Sequence, residues 1–357
     1  MDCRLCWEVC PVNTVRGGDV YTPQEKIMSL AKVIAGDQLS QEEMDNIYLS
    51  TRCGACDDVC PSNIPITEII QYERALLAGQ GCEPQNTTGI SRNIMELNSP
   101  GGMDPAKRFD WVTSDLEMDP ESDTAYMTGC WIAYSQPQIA RSTIRLLNHA
   151  GVKPRLLDQE RCCGFFLIDN GHFDQAKERA VDFVEYIESL GVKKVIASCP
   201  GCLTTMRDHY ASLYRDPDFE VLYSLDIFAE MIREGMLEPK PLDLTVSIRD
   251  ACPLRDMKDI PREIVRSTGA EINELFDGRH VCCGGPAGLK PNFPETSADI
   301  AMLSVKDYKT RSEALISYCP FCMHHISGVC NASQEELDMR DVSVLLAESV
   351  LGKDGAL

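Results

Sequence analysis

The sequence predicts an α/β protein: an all-α N-terminal domain followed by two copies of one α/β domain. Three observations lead there. Apolar residues recur at helical spacing between residues 23 and 78, short apolar runs alternate with helical stretches from residue 122 on, and a five-cysteine pattern returns about 120 residues after its first appearance. The chain divides accordingly into a helical domain (1–80), a connector (81–121), a first α/β domain (122–240) and a second (241–357).

In the N-terminal domain Pro23 marks a helix start, and Ile27, Leu30, Ala31 and Ile34 follow at helical spacing. Ser40 with Glu43 reads as a capping box opening a helix through Tyr48. After Pro65 a third helix is expected over Thr67–Ala78. The connector is rich in Pro, Gly and Asn and reads as loop. The first α/β copy is expected to run strand Ala125–Thr128, helix Pro137–His149, strand Val152–Leu157, helix Asp174–Leu190 and strand Lys194–Ser198. Leu244–Ile248, Glu271–Leu275 and Ala314–Tyr318 are the matching strands of the second. Strands separated by helices imply a parallel or mostly parallel sheet, whose ligands gather at the carboxyl ends of the strands.

A formal charge of −21 excludes nucleic acid as a partner, because phosphates are repelled by such a surface. It suits a solvated cytoplasmic protein. No apolar run is long enough to span a bilayer and no charged-then-apolar leader appears, so membrane association is expected only through a partner.

The chemistry lies in eighteen cysteines. A chain of 357 residues has core enough without disulfide staples. Structural zinc takes four thiolates, or thiolates with imidazoles, whereas sixteen of these cysteines fall into sets of three, three, five and five. Iron–sulfur ligation fits that grouping. Cys3-Arg-Leu-Cys6-Trp-Glu-Val-Cys10-Pro11 and Cys53-Gly-Ala-Cys56-Asp-Asp-Val-Cys60-Pro61 each carry three-quarters of the run C-x2-C-x2-C-x3-C-P, which wraps a 4Fe-4S cubane. Since the last cysteine of such a run ligates the other cluster, Cys3, Cys6 and Cys60 belong to one cluster, and Cys53, Cys56 and Cys10 to the other. Each cluster is one thiol short. The missing position falls on Ser50 in the second motif and just before Met1 in the first, as though Met1 were an internal methionine. A serine alkoxide ligand and a 3Fe-4S cluster are the alternatives that Ser50 leaves open. Cys82 is a remote candidate for the missing ligand, and otherwise a plain buried thiol.

The repeat is the stronger signal. Cys130, Cys162-Cys163-Gly164 and Cys199-Pro-Gly-Cys202 return as Cys252, Cys282-Cys283-Gly284 and Cys319-Pro-Phe-Cys322, with an offset of 122 at the first cysteine and 120 at the other four. In each copy the outer groups follow strand ends and the paired cysteines lie on the loop between them, so five thiolates can converge on one site.

The spacings C-x31-CC-x35-C-x2-C and C-x29-CC-x35-C-x2-C resemble the CCG domain. Two such domains, fused behind a helical ferredoxin domain, make the D subunit of heterodisulfide reductase. The resemblance implies a non-cubane 4Fe-4S cluster on Cys130, Cys162, Cys163, Cys199 and Cys202, and another on Cys252, Cys282, Cys283, Cys319 and Cys322. It also implies cleavage of the disulfide of coenzyme M and coenzyme B between the two, fed by the ferredoxin-type clusters. Disulfide cleavage takes two electrons and iron–sulfur clusters pass one at a time, so a pair of clusters facing one substrate suits the reaction. No nicotinamide or flavin fingerprint is present, so the electron donor is expected to be a partner subunit, either a flavoprotein or a membrane cytochrome b.

Relatives of the same layout serve as electron-relay partners of flavin-dependent 2-hydroxyacid or glycerol-3-phosphate dehydrogenases. The terminal Cys-x-x-Cys is often degenerate there and is intact in both copies here, which favours the reductase. Around the motifs, His324 and His325 are proton-donor candidates weighed against a packing role behind the ligands. Arg249, Arg279 and Lys290 are candidates for meeting an anionic substrate. Gly164, Gly284 and Gly285 are expected to allow tight turns. Cys330 reads as an ordinary thiol, and Trp7, Trp111 and Trp131 as packing residues.

Overall fold

The structure, a computed structural model, describes residues 3–356; Met1, on which the start-site expectation falls, lies outside them. The chain folds as expected for its class: a helical N-terminal unit and two parallel sheets flanked by helices.

Three helices, Pro23–Ala35, Gln41–Tyr48 and Ile66–Gly79, build the N-terminal unit. Thr22 caps the first by accepting from the Glu25 amide, and Ser40 and Glu43 close a full capping box on the second. Val33, Leu39, Ile47, Tyr48, Ile66, Ile70 and Leu77 pack between them. The buried face of the first helix is Pro23, Lys26, Ser29 and Val33. The expected stripe through Ile27, Leu30, Ala31 and Ile34 is therefore corrected, and Ile34 stands 65% exposed. The helix is turned by Lys26, whose Nζ donates to Asn46 Oδ1 at 2.7 Å inside the unit and lies next to the cysteine motifs.

The connector is not plain loop. Residues Gln85–Leu97 form a helix that buries Thr87, Ser91 and Ile94, and Ile94 packs against Cys130 and Cys162.

In the first α/β copy β1 (Thr124–Met127), β2 (Arg155–Leu156), β3 (Lys194–Ala197) and β4 (Glu220–Tyr223) form a parallel sheet in the order β2-β1-β3-β4. The second repeats it with β5 (Thr245–Arg249), β6 (Glu271–Ile272), β7 (Ala314–Ser317) and β8 (Met339–Asp341), ordered β6-β5-β7-β8. The registers match as well: Met127 pairs with Ala197, and Arg249 with Ser317. Contacts between the copies are reciprocal. The helix opened by Cys130 packs on the helix behind Cys319, and the helix behind Cys199 packs on the turn opened by Cys252. The carboxyl ends of both sheets are thereby turned toward each other. Among the described residues, no helix is long and apolar enough to cross a membrane.

Candidate iron–sulfur sites

Local backbone geometry delivers each thiol of the first five-cysteine set. Cys130 opens a helix just past β1, Cys199 caps the helix Pro200–Thr204 just past β3, and Cys162 and Cys163 lie on the turn before Gly164. Gly164 takes φ 87°, a left-handed conformation that favours glycine. The sulfurs form a chain of contacts: Cys130 to Cys162, Cys162 to Cys163, Cys163 to Cys202 and Cys202 to Cys199. Donation from Cys162 and Cys202 draws the Cys163 thiol down to about 5, while its hydrogen bonds with Cys163 and Cys199, and burial, push Cys202 well up.

The second set repeats the pattern. Cys252 Sγ lies 3.8 Å from Cys282 Sγ, and Cys282 and Cys322 both donate to Cys283, which is held well below the usual thiol range. Cys319 caps the helix Pro320–Ser333 and is also lowered, by donation from Cys322. No disulfide forms among the described residues, and the thiols run in touching pairs rather than round a single ion. A donor set of five cysteines around one strand-end cradle, four of them buried and the fifth (Cys199 or Cys252) half-buried, fits an iron–sulfur cluster. So does Arg249, a guanidinium 1% exposed whose Nε and Nη2 have no hydrogen-bond partner among the described residues and which faces the second set.

The ferredoxin-type motifs meet in the N-terminal unit. Cys10, Ser50, Cys53, Cys56 and Lys26 line one small cavity, and Cys6 lies near Cys3, Cys10 and Cys60. Burial lowers the Lys26 ammonium to about 8, with Cys10 and Cys56 opposing the shift, so a cation stands beside the thiols that would ligate iron. Cys53 also meets Cys282: their hydrogen bond, with burial, pushes Cys53 up to about 12. The second motif and the second five-cysteine set are thus in direct contact. Cys82, expected to be buried, is exposed on the turn after Gly79 and lines neither cavity.

The Ser50 hydroxyl accepts from the Arg52 amide at 3.2 Å, and its side chain is 8% exposed. We propose it as the stand-in for the missing thiol. Ser50→Cys is then expected to give an ordinary cubane at this site and Ser50→Ala a weakened or converted cluster, read by electron paramagnetic resonance. Spectra indifferent to both changes would place Ser50 away from iron.

Nine of the ten cysteines of the two five-membered sets line a single cavity of about 630 Å³; Cys282 sits behind its wall. Trp131, Phe165, Phe166 and Phe321 supply apolar surface, and Arg52, Arg255 and Lys290 supply positive charge. Lys290 is where the sequence places it. Arg249 and Arg279 are corrections: Arg249 is buried behind the second set, and Arg279 is exposed beside Phe276, away from the cavity. Sequence reasoning misses Arg52 and Arg255, although Arg52 adjoins Cys53 and Arg255 lies three residues past Cys252, so adjacency to a motif would find them. Arg52 pairs with Asp169, and Arg255 Nε with Asp58 at 3.0 Å.

His325 is a packing residue, 1% exposed with Nε2 3.1 Å from Ser297 Oγ; His324 stacks on Trp131 and meets Lys290 Nζ at 3.1 Å. Burial lowers both imidazoles to about 4, which favours the neutral ring in each. Trp111 is buried against Tyr126, Trp7 lies under Arg4, and Cys330 is a core thiol.

Comparison with known proteins agrees with this layout. A cysteine-rich (CCG) domain matches residues 124–207 and again 248–327, and a 4Fe-4S dicluster domain matches residues 1–64. The chain is 28% identical to the D subunit of the dihydromethanophenazine:CoB–CoM heterodisulfide reductase of Methanosarcina barkeri, covering 98% of this chain and 92% of that one. It is 26% identical to the B subunit of the fumarate reductase (CoM/CoB) of Methanothermobacter marburgensis, covering 97% and 70%. With the EtfAB:quinone oxidoreductase of Syntrophomonas wolfei it shares 26% identity over 82% of this chain and 44% of that one. The fold is shared with the crystal structure of a hypothetical protein from Helicobacter pylori, at a TM-score of 0.60 and 11% identity over 91% of this chain and 66% of the other. An N-terminal dicluster domain, two cysteine-rich domains and near end-to-end similarity make this chain an iron–sulfur oxidoreductase of the CCG-domain family, of the type of the heterodisulfide reductase D subunit.

Proposed function

We propose that the chain reductively cleaves a small-molecule disulfide, the coenzyme M–coenzyme B disulfide, in the cavity between its two five-cysteine sets. One observation carries the reading: both sets open onto the same cavity from opposite α/β domains, so a single substrate touches both. Each non-cubane 4Fe-4S cluster, when bound, supplies one electron. The balance is one disulfide bond broken, two electrons and two protons consumed, and two thiols released. Cys130, Cys162, Cys163, Cys199 and Cys202 would hold one cluster, and Cys252, Cys282, Cys283, Cys319 and Cys322 the other. The aromatic walls exclude water from the sulfur–sulfur bond, and Lys290 orients an anionic substrate by charge, while Arg52 and Arg255 at the same cavity are held by Asp169 and Asp58. Cys3, Cys6, Cys10, Cys53, Cys56 and Cys60 would hold the ferredoxin-type clusters, which would pass on electrons from a partner subunit, a flavoprotein or a membrane cytochrome b. Cytoplasmic placement, with membrane contact only through that partner, belongs to the same reading.

The test is anaerobic turnover of the coenzyme M–coenzyme B disulfide by the fully loaded chain with reduced viologen. Thiol release at the rate of viologen oxidation, two viologens per disulfide, is expected. The relationship to an EtfAB:quinone oxidoreductase favours one second reading, an electron relay that never touches an organic substrate. A fully loaded chain that is reduced by viologen yet leaves the disulfide intact would select that relay.

A further inference from the structure

The two five-cysteine sites are near copies in fold, yet their buried charges differ. In the first, the nearby cation is Arg108, contributed by the connector. Its Nη2 approaches Cys130 Sγ at 3.6 Å, but its Nη1 is bound to Glu160 Oε1 at 2.6 Å, and the pair is almost fully buried. Glu160 is fixed in turn by the amides of Thr128, at 2.6 Å, and Gly129, at 3.0 Å. The charge of Arg108 beside the first site is therefore cancelled by Glu160.

At the second site the cation is Arg249, the last residue of β5. Among the described residues no carboxylate answers it: its Nη1 donates to the Asp250 carbonyl at 2.6 Å, and its Nε and Nη2 have no partner there. The Asp250 carboxylate is turned away, held by Arg262 at 2.8 and 3.1 Å and by the Tyr318 hydroxyl at 3.1 Å. Burial opposes the Arg249 charge, and the thiols of Cys322, Cys252, Cys283 and Cys282 outweigh it, keeping the guanidinium charged. The repeat register identifies the equivalent residue of the first copy. Arg249 pairs with Ser317 two residues before Cys319, and Met127 pairs with Ala197 two residues before Cys199. Where one copy carries a buried cation, the other carries a buried methionine.

An unpaired buried cation stabilises the more negative of two redox states next to it, because the low dielectric leaves the attraction unscreened. We propose that Arg249 raises the reduction potential of the second five-cysteine cluster above that of the first, so that the second is reduced first. The assignment rests on clusters occupying both sets, not on the identity of the disulfide. Lys290, on the cavity side, adds charge of the same sign near Cys283.

The test is a redox titration of the anaerobically purified full chain, followed by electron paramagnetic resonance. The two non-cubane signals are assigned with single-ligand variants of each set. Arg249→Met, which copies the first domain, is expected to lower the reduced-to-oxidised ratio of the second cluster about tenfold at fixed potential, a fall of about 59 mV for a one-electron couple. Arg249→Lys keeps the charge and is expected to stay near the unmodified protein. Glu160→Gln supplies an independent arm: it unmasks Arg108 and is expected to raise the first cluster's midpoint, even if Arg249→Met fails to hold iron. An unmoved second midpoint in an iron-replete Arg249→Met protein, an equal shift in Arg249→Lys, or an unmoved first midpoint in Glu160→Gln would each overturn the role given to these charges. Absence of two non-cubane signals from the unmodified chain would instead overturn the cluster assignment beneath it.

Discussion

Replacing Cys199 or Cys319 by alanine is expected to abolish disulfide cleavage while the ferredoxin-type clusters stay reducible. Both residues stand at equivalent points, just past the central strands β3 and β7, where each caps a helix and faces the shared cavity. Each touches the second cysteine of its Cys-x-x-Cys pair, so its removal takes away one ligand and leaves the other unsupported. If each domain supplies one of two electrons, loss of either stops the reaction: a fall of more than about a hundredfold, ~2.7 kcal/mol of transition-state stabilisation. Viologen-driven thiol release measures it, and the resonance spectrum of the reduced protein reports the remaining clusters. Undiminished turnover in a variant that has lost one five-cysteine cluster would rule out the two-cluster reaction. The N-terminal motifs lie in another part of the fold, so their spectra provide the control for general unfolding. Cys53, which touches Cys282, is the point at which coupling between the two parts is expected first.

The cysteine repeat makes the doubled α/β domain legible, because fixed spacings survive where propensities are ambiguous. Strands β1, β3, β5 and β7 are legible too, each a short apolar run ahead of a cysteine. The edge strands β4 and β8 are not. Glu220–Tyr223 carries an apolar run but precedes no cysteine motif that would mark it, and Met339–Asp341 ends in two charged residues and lacks the apolar run of a central strand. The helix Gln85–Leu97 reads as loop since Asn, Thr and Gly dominate its first turns; it forms because Thr87, Ser91 and Ile94 find a buried face against the first cysteine set. The charges of the cavity are hidden for a different reason. Arg52, Arg255 and Lys290 come from three segments far apart in the chain, one in the N-terminal unit and two in the second copy, and the packing of that unit on the second copy brings them to one cavity. Arg249 stands out as motif-adjacent yet does not reach the cavity, because a sequence does not say on which side of its strand end an arginine lies.

The turn after the paired cysteines separates two glycines that look identical in sequence. Gly164 and Gly284 both take left-handed φ, 87° and 85°, so alanine at either is strained by about 1–2 kcal/mol. Their surroundings differ. A Cβ on Gly164 would find its nearest neighbour at 3.6 Å, on the Arg179 side chain, an ordinary contact. On Gly284 it would meet the Ser297 carbonyl oxygen at 2.6 Å and Ile300 Cβ at 2.8 Å, inside the helix Pro294–Tyr308. Backbone does not yield as a flexible side chain does, and overpacking of this kind costs about 1–3 kcal/mol more. Gly284→Ala is therefore expected to destabilise the loaded protein by about 2–5 kcal/mol, against about 1–2 kcal/mol for Gly164→Ala. The displacement also reaches the chemistry, because the Gly284 amide lies 3.4 Å from Cys282 Sγ and holds the paired thiols in place. Thermal unfolding of the two variants, together with iron content per chain, reads both effects. Gly284→Ala is expected to lose iron from the second site selectively, with a larger fall in melting temperature than Gly164→Ala. Equal melting temperatures and full iron in both would show that the helix gives way, and that the second cysteine pair does not depend on this turn.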